Sequence, residues 1–316
     1  MSAKRSRVHP PYKTKYRVTN WATYNQALVD RGSLGLWISP EAISSWNAKP
    51  SDRRRGGQSK YSNLAIETAL TLGLVYHLPL RQTEGFITSI FKLMSINLDV
   101  PDHTTLSRRS KTLKIKLKAK LQLGPIDLII DSTGLSVVVE GQWAAGKHGK
   151  RGFQGWKKLH LGVDDSGIIV AETLTGPNVD DAKVGVKMIK KTRFKVKALI
   201  GDAAYDSREI YKAAEEHRAR VIVPPLRNAR VSTHAPRARN RSVERIQEVG
   251  RRRWKTEVRY HRQGKVENTF FRYKSMIGDR LRSRSPDTQK SEVILTCNIL
   301  NRMFEHGRPR SVATRD

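Results

Sequence analysis

The sequence predicts an α/β protein in which a helical N-terminal part precedes a mixed sheet flanked by helices. One observation is a change of pattern: apolar residues recur at helical spacing between residues 61 and 112, whereas short β-branched apolar runs begin near residue 125. Another is that stretches of helical periodicity separate the later apolar runs, which is typical of an α/β protein. The third is the placement of acidic residues, since the runs Ile126–Asp131 and Val196–Asp202 both end in aspartate.

Residues 1–60 are expected to form a basic arm, because they are polar, rich in Lys and Arg, and interrupted by Pro and Gly. The apolar residues at Trp21, Leu28 and Leu36–Ile38 predict one short helix in this arm and an apolar edge that packs against another part of the protein. We expect a partner or the body of the protein to order it.

Residues 61–120 are expected to form a helical DNA-binding domain. Three helices are predicted, and Asp102 or Thr104 is expected to cap the third. Arg108 and Arg109 fall near the end of this third helix. Three short helices of which the last is basic are typical of a helix-turn-helix arrangement. The alternative is a small helical domain whose basic face is simply solvated.

A strand-rich domain is predicted over residues 121–225 and 254–305. The expected elements are strands at 126–131 and 135–139, a hairpin at 156–174, helices at 180–191 and 207–218, strands at 196–202 and 220–224, and helices at 258–278 and 287–305. Residues 226–253 contain many Arg and Asn and few apolar residues, which predicts a mobile basic insertion loop. Residues 306–316 are expected to be a tail.

The charge of the chain indicates a polyanionic partner. The 316 residues include 60 Lys and Arg against 29 Asp and Glu, a net charge of +31, and the basic residues are spread along the chain rather than gathered in one tail. A ribosomal or packaging protein that only binds nucleic acid is the alternative. The single cysteine, Cys297, excludes a disulfide framework and a Cys-rich zinc site. We found no secretory signal or membrane-length apolar stretch, which predicts a cytoplasmic protein without membrane contact.

Three acidic residues, Asp131, Asp202 and Glu267, stand in settings that suit one kind of chemistry. Two of them end apolar strands, and the third lies in a basic stretch with helical character. Carboxylates that converge in this way can hold Mg²⁺, and Mg²⁺ on a basic protein indicates phosphodiester chemistry on nucleic acid. Taken singly, each aspartate could cap a turn or a helix. Glu267 could instead form a salt bridge with Lys274 or Arg262 on an exposed helix.

The stretch around Glu267 has a regular spacing. On an α-helix, Tyr260, Gln263, Glu267 and Lys274 would share one narrow face, so a single helix could present all four side chains to one site. Gly264 weakens the first turn, and the ordered helix is therefore expected to begin near Lys265.

A loop rich in glycine and basic residues, 146–152, follows the first two predicted strands. It lacks the full phosphate-loop pattern, so it does not indicate nucleoside triphosphate binding. Lys147 and Lys150 in this loop are expected to contact the DNA backbone.

Together these motifs resemble those of the DDE transposases of the bacterial IS5 and IS4 insertion-sequence families, most closely IS5. The similarity covers about residues 60 to 305, and its matching stretches are Leu78–Phe86, Pro101–Arg109, Ile130–Gly134, Lys158–Asp164, Gly201–Asp206 and Tyr260–Lys274. The resemblance implies an RNase H-like catalytic core built from residues 121–225 and 254–305.

The resemblance also implies site residues. In this family the three acids, here Asp131, Asp202 and Glu267, bind two divalent ions, Mg²⁺ or Mn²⁺. The family signature around the glutamate contains a Tyr and a Lys, matched by Tyr260 and Lys274, and an Arg. Gln263 occupies the position of that Arg, and Arg262 stands beside it; all four are expected to contact DNA.

The activity implied by the resemblance is cleavage at the ends of an insertion sequence, followed by attack of the freed 3′-hydroxyl on target DNA. A homodimer in the DNA complex is expected, because two ends must be held together, and the protein is expected to associate with the bacterial nucleoid. Two alternatives remain open: an RNase H-fold nuclease that does not join strands, and a DNA-binding protein that has lost catalysis.

Overall fold

The structure is a computed structural model that describes residues 15–49, 58–120, 124–137 and 155–314. The predicted loop 146–152, with Lys147 and Lys150, lies outside the described residues. In the described part, no helix is both long enough and apolar enough to cross a membrane.

The N-terminal arm contains more regular structure than the single short helix that the sequence predicted. Strand β1 (Lys15–Val18) is followed by three helices, α1 (Trp21–Asp30), α2 (Leu34–Trp37) and α3 (Pro40–Ser44). Strand β1 pairs antiparallel with β8 (Ser311–Thr314) near the other end of the chain. The arm is therefore paired with a strand from residues 306–316, the segment that the sequence predicted to be a tail.

Three helices follow, as predicted: α4 (Asn63–Val75), α5 (Leu80–Leu93) and α6 (His103–Thr112). The Asp102 side chain caps α6 by accepting a hydrogen bond from the Thr105 amide at 2.8 Å. These helices share one apolar cluster with the last long helix, α11 (Pro286–His306), and members from both regions include Leu72, Leu106, Leu295 and Ile299. The helical region thus packs directly on a C-terminal element.

A six-stranded mixed sheet forms the centre of the protein. Its strands are β2 (Ile126–Val137), β3 (Trp156–Val163), β4 (Ile169–Thr175), β5 (Val196–Ile200), β6 (Arg220–Ile222) and β7 (Arg280–Leu281). The spatial order is β4-β3-β2-β5-β6, and β7 pairs with the end of β2. Strands β2, β3 and β4 are antiparallel neighbours, whereas β5 runs parallel to both β2 and β6. This mixed sheet flanked by helices is consistent with the RNase H-like core that was expected.

Strand β2 corrects one prediction, because the sequence predicted two strands separated by a turn at Ser132–Gly134. The chain instead stays extended for 12 residues. The register shows why: Ser132 pairs with His160 and Gly134 pairs with Lys158, so β3 supplies partners along the whole segment.

Helices cover both faces of the sheet. On one face, α7 (Asp181–Lys191) and α8 (Arg208–Glu216) pack against an apolar cluster that contains Leu128, Ile130 and Leu199. On the opposite face, α10 (Gly264–Met276) and α11 pack against a cluster that contains Ile129 and Ile200. The two clusters take alternate residues of β2, as the two-residue period of a strand requires.

The predicted mobile loop at 226–253 is wrong over most of its length, because α9 spans Arg237–Glu257. Gly250, with φ of 80°, bends this element. Few apolar residues are available, but Val243 and Trp254 are buried, and Arg245 donates to Glu257 at 2.8 Å across the bend. The ion pair and these two anchors give the segment the tertiary support that its composition did not predict.

Candidate active site

Asp131 and Asp202 lie side by side at one edge of the parallel part of the sheet. Ile129 of β2 is in register with Ile200 of β5, and each aspartate follows its isoleucine by two residues. Neighbouring strands are about 4.8 Å apart, and residues two apart share a face. The strand pairing therefore brings the two carboxylates to the same edge of the sheet, and it places Asp131 on the face that carries Ile129.

Helix α10 brings Glu267 to that same face. Val266 and Phe270, both buried, join the apolar cluster that contains Ile129 and Ile200. Glu267 follows Val266 in the first turn of the helix and is exposed. The helix is thus anchored by apolar side chains on the strands that carry the two aspartates, with its carboxylate in solvent beside them.

The residues before Glu267 depart from the predicted single helix. Tyr260–Gln263 form a 3-10 turn, and the α-helix begins at Gly264, close to the predicted start. The turn contacts both β2 and β5. Because a 3-10 turn has fewer residues per turn than an α-helix, the shared face expected for Tyr260, Gln263 and Lys274 does not extend across the junction.

Gln263, which was expected to contact DNA, lies in the protein interior. Its side chain is 4% exposed, and Nε2 donates to the carbonyl oxygen of Ile130 at 3.0 Å. Ile130 directly precedes Asp131, and Glu267 lies four residues after Gln263. The bond therefore ties the start of the helix that carries Glu267 to the strand that carries Asp131.

The carboxylates influence one another electrostatically. The pKa of Asp131 is raised to about 6, chiefly by burial, with further contributions from the negative charges of Asp202, Glu267 and Asp181. A hydrogen bond from the Ser132 amide at 2.8 Å opposes this rise. The site therefore concentrates negative charge around a carboxyl group that is partly removed from water.

Tyr260 belongs to the same neighbourhood. Burial raises the pKa of its phenol to about 12, and the charges of Asp202, Glu267 and Asp131 contribute to the rise. The structure thus brings together four of the residues that the sequence selected.

The donor set of this site suits a hard divalent cation, because it consists of carboxylate oxygens in a region of excess negative charge. Among the described residues, however, no group of three or more His, Cys, Asp or Glu side chains is arranged to hold a metal ion. Mg²⁺ in phosphoryl-transfer sites is commonly bound by one or two carboxylates together with waters and substrate phosphate. The carboxylate oxygens therefore suit a divalent cation, and water and substrate phosphate would have to supply its remaining ligands.

A polar network on the other face of β2 was missed in the sequence. Lys158 Nζ donates to Asp181 Oδ1 at 2.7 Å, and Ser132 Oγ donates to Asp181 Oδ2 at 3.2 Å. The sequence indicated only that Asp181 starts a helix. The pairing of β2 with β3 creates this network, and no local pattern reveals that pairing.

His160 is fully buried beside the network, as a packing residue rather than an exposed ligand. Its ring Nε2 lies 2.9 Å from Thr175 Oγ1. Burial lowers the pKa of His160 to about 4, and the charge of Lys158 adds to this effect while that of Asp181 opposes it. The imidazole is consequently neutral near pH 7.

The basic residues expected to contact DNA have varied surroundings. The Arg262 guanidinium donates to the buried Asp127 and, at 3.2 Å, to Asp165, so internal ion pairs hold it. Lys274 is half-buried on α10, seven residues after Glu267.

The two arginines of α6 also differ. Arg109 donates to the Tyr61 carbonyl at 3.0 Å and to Asn63 Oδ1 at 2.6 Å, which fixes it within the helical region. Arg108 is exposed and lines a cavity of about 730 Å³ together with Arg81 and other residues of α5 and α6. Of this pair, only Arg108 has the exposure that a DNA contact requires.

Comparison with known families gives two matches. A family model described as a transposase DDE domain matches residues 122–302, which include the central sheet, α10 and most of α11. A second model with the same description matches residues 29–140, which include the three helices α4 to α6 and strand β2. The first match covers more than half of the chain and contains Asp131, Asp202 and Glu267.

Proposed function

The chain belongs to the transposase DDE domain family, whose members are transposases that act on DNA, and on that basis we propose that it cleaves DNA at the ends of an insertion sequence and joins the freed 3′-hydroxyl to target DNA. The observation that supports the proposal is the pairing of Ile129 with Ile200, two residues before Asp131 and Asp202, together with the charges of Asp202 and Glu267 that act on Asp131.

The proposed catalytic residues are the three carboxylates Asp131, Asp202 and Glu267, which would hold two Mg²⁺ or Mn²⁺ ions. When bound, such ions activate the attacking hydroxyl group and stabilise the leaving oxygen. Tyr260 borders this centre and is placed to contact the DNA near the reacting phosphate. Gln263 acts on the centre by holding the helix of Glu267 against the strand of Asp131.

The proposed substrate agrees with the charge of the chain. A net charge of +31 attracts a phosphate backbone over much of the surface, and it agrees with association with the bacterial nucleoid. Closeness to the IS5 group is part of the same proposal and is tested by the DNA next to the gene, where short inverted repeats are expected just outside the reading frame.

The first test is metal-dependent nicking of a supercoiled plasmid by the purified full-length protein. The wild type is expected to nick DNA in Mg²⁺ or Mn²⁺, and Asp131→Asn is expected to lower the rate by about a hundredfold or more, because it removes a charge at the reacting centre. The matched control is Asp287→Asn, an exposed carboxylate that pairs with Lys290 on α11. If the wild type shows no nicking in either metal, the catalytic proposal is wrong and only DNA binding remains.

Metal binding has a readout that does not depend on activity. Mn²⁺ is expected to raise the Tm of the wild type and of Asp287→Asn, since a ligand that binds the folded state stabilises it. The rise should be much smaller in Asp131→Asn. An equal rise in Asp131→Asn would place the bound ion elsewhere.

Strand transfer separates a transposase from a nuclease. Duplex oligonucleotides that carry the terminal repeat with a free 3′-hydroxyl should be joined to plasmid DNA by the wild type. Nicking without joining would support an RNase H-fold nuclease instead. A shift from one protein chain to two on binding of these oligonucleotides, measured by light scattering, would support the proposed homodimer.

A further inference from the structure

The second half of α9, which follows the bend at Gly250, is fixed against the body of the protein. Trp254 in this segment is 2% exposed. Glu257 accepts hydrogen bonds from Arg245 at 2.8 Å and pairs with Arg253 at 3.4 Å. The segment therefore holds its basic side chains in defined positions, unlike the mobile loop that the sequence predicted.

Lys255, the neighbour of Trp254, contacts Tyr260, which borders the candidate active site. Its Nζ lies 4.8 Å from the centre of the Tyr260 ring, a cation–π distance. Tyr260 belongs to the 3-10 turn that contacts β2 and β5, the strands that lead to Asp131 and Asp202. The tyrosine ring thus connects the ammonium group of Lys255 to the edge of the sheet where the aspartates lie.

Two more basic residues continue from Lys255 along the surface. Arg252 lies three residues earlier, on the same side of the helix, and is exposed. Arg259 is exposed where the helix ends, with a left-handed φ of 55° that turns the chain toward Tyr260. We call Arg252, Lys255 and Arg259 the basic ridge; Arg252 and Lys255 are about 4.5 Å apart along the helix axis, and Arg259 follows the end of the helix.

We propose that the basic ridge binds the phosphate backbone of the DNA strand that enters the active site, with Lys255 at a phosphate next to the one that reacts. The inference rests on the proposed function, since it names the element that guides the substrate. Divalent ions at Asp131, Asp202 and Glu267 would hold the reacting phosphate, and a fixed cation beside Tyr260 is placed to bind the neighbouring phosphate of the same strand. A surface cation far from the carboxylates would be screened by salt and could not act in this way.

Two kinds of variant test the ridge. Lys255→Met keeps an unbranched side chain that can pack on Tyr260 but removes the charge, and it is expected to lower the nicking rate at saturating protein about tenfold. Lys255→Arg keeps the charge and the ring contact and should retain activity within about threefold of the wild type. Each lost phosphate contact should also reduce, by about 0.9 for duplex DNA, the slope of the logarithm of the DNA-binding constant against the logarithm of the salt concentration.

Arg252→Ala combined with Arg259→Ala is therefore expected to reduce that slope by about 1.8 for a 30-base-pair duplex of fixed sequence. The matched control is Lys212→Met, which removes one exposed positive charge from α8, on the opposite face of the sheet. This control should change neither the slope nor the nicking rate by more than about a quarter of the effects above.

The outcomes separate the two proposals. If the wild type nicks DNA and Lys255→Met nicks it equally well, or if Lys255→Arg loses as much as Lys255→Met, then Lys255 only packs on Tyr260 and the inference is overturned. An unchanged salt slope in the double variant overturns it as well. If the wild type does not nick DNA at all, the catalytic proposal fails, and the salt slope alone decides whether the ridge binds phosphate.

Discussion

Gln263→Met separates the stability of the protein from the alignment of its active site. The substitution keeps the length and approximate volume of the side chain but removes the hydrogen bond from Nε2 to the Ile130 carbonyl. It also removes Oε1, which has no hydrogen-bond partner within the described residues although it is buried. We expect the Gln263→Met protein to fold, and we expect Glu267 to be displaced relative to Asp131.

The magnitude follows from these two effects. A lost intramolecular hydrogen bond costs about 0.5–1.5 kcal/mol, whereas removing a buried unsatisfied oxygen gains about 1–3 kcal/mol. The effects oppose each other, so the free energy of unfolding should change by no more than a loss of about 0.5 kcal/mol or a gain of about 2.5 kcal/mol. Catalysis has no such compensation, since a displacement of about 1 Å in a reacting group costs about a hundredfold in rate. We therefore expect Gln263→Met to lower the nicking rate about tenfold, because the helix that carries Glu267 is no longer hydrogen-bonded to β2.

The assay pairs urea unfolding with plasmid nicking, and the chain supplies a close control. Gln289 on α11 is 2% exposed, donates Nε2 to the Ser283 carbonyl at 3.0 Å and to the Arg284 carbonyl at 3.3 Å, and has a buried Oε1 without a partner in the described part. Gln289→Met should therefore change stability as Gln263→Met does but leave nicking unchanged. Equal nicking by both variants would refute the positioning role, and a loss of stability above about 3 kcal/mol in Gln263→Met would refute the energetic reasoning.

Two further predictions concern stability. Burial lowers the pKa of His160 from an ordinary value near 6.5 to about 4. Between these two values the unfolded chain binds the proton and the folded protein does not. The free energy of unfolding therefore decreases as the pH falls from 6.5 toward 4. His160→Gln should flatten the wild-type profile of unfolding free energy against pH in this window, and parallel profiles would contradict the assignment. Arg239 donates to Asp206 at 2.9 Å, and the Asp206 side chain is 1% exposed; Arg239→Met should destabilise the protein by about 3–5 kcal/mol in urea, because it leaves a buried carboxylate unpaired. The exposed neighbour Arg241→Met serves as the control, and an equal effect of both would contradict this account.

The parts of the fold that the sequence predicted correctly are those with a strong local signal. The hairpin of β3 and β4 and helices α7 and α8 follow from periodicity and from turn residues. The two aspartates were also visible, because each ends a buried apolar run. What the sequence did not contain was the register of Ile129 with Ile200, which is a property of the paired strands.

The errors arise where tertiary contacts outweigh local preference. Ser132–Gly134 has the composition of a turn, yet β3 pairs with it throughout. The insertion lacks a continuous apolar face, yet Trp254 and the Arg245–Glu257 ion pair support a bent helix. A helical wheel drawn through Tyr260 and Gln263 assumes one constant rotation per residue, and the 3-10 turn changes that rotation before the α-helix begins.

The geometry of the site explains why a buried glutamine can stand where relatives of this chain are expected to have an arginine. A charged guanidinium at position 263 would lie in the interior against Ile130, whereas Gln263 supplies one donor there and carries no charge. A positive charge near the site is found on Lys255, whose Nζ lies 4.8 Å from the centre of the Tyr260 ring. The pKa of Asp131 is raised chiefly by burial and further by the nearby charges of Asp202, Glu267 and Asp181, so a cation beside Tyr260 would favour the charged form of the carboxylates. Gln263 thus keeps the interior beside Ile130 neutral, while Lys255 supplies a positive charge beside Tyr260.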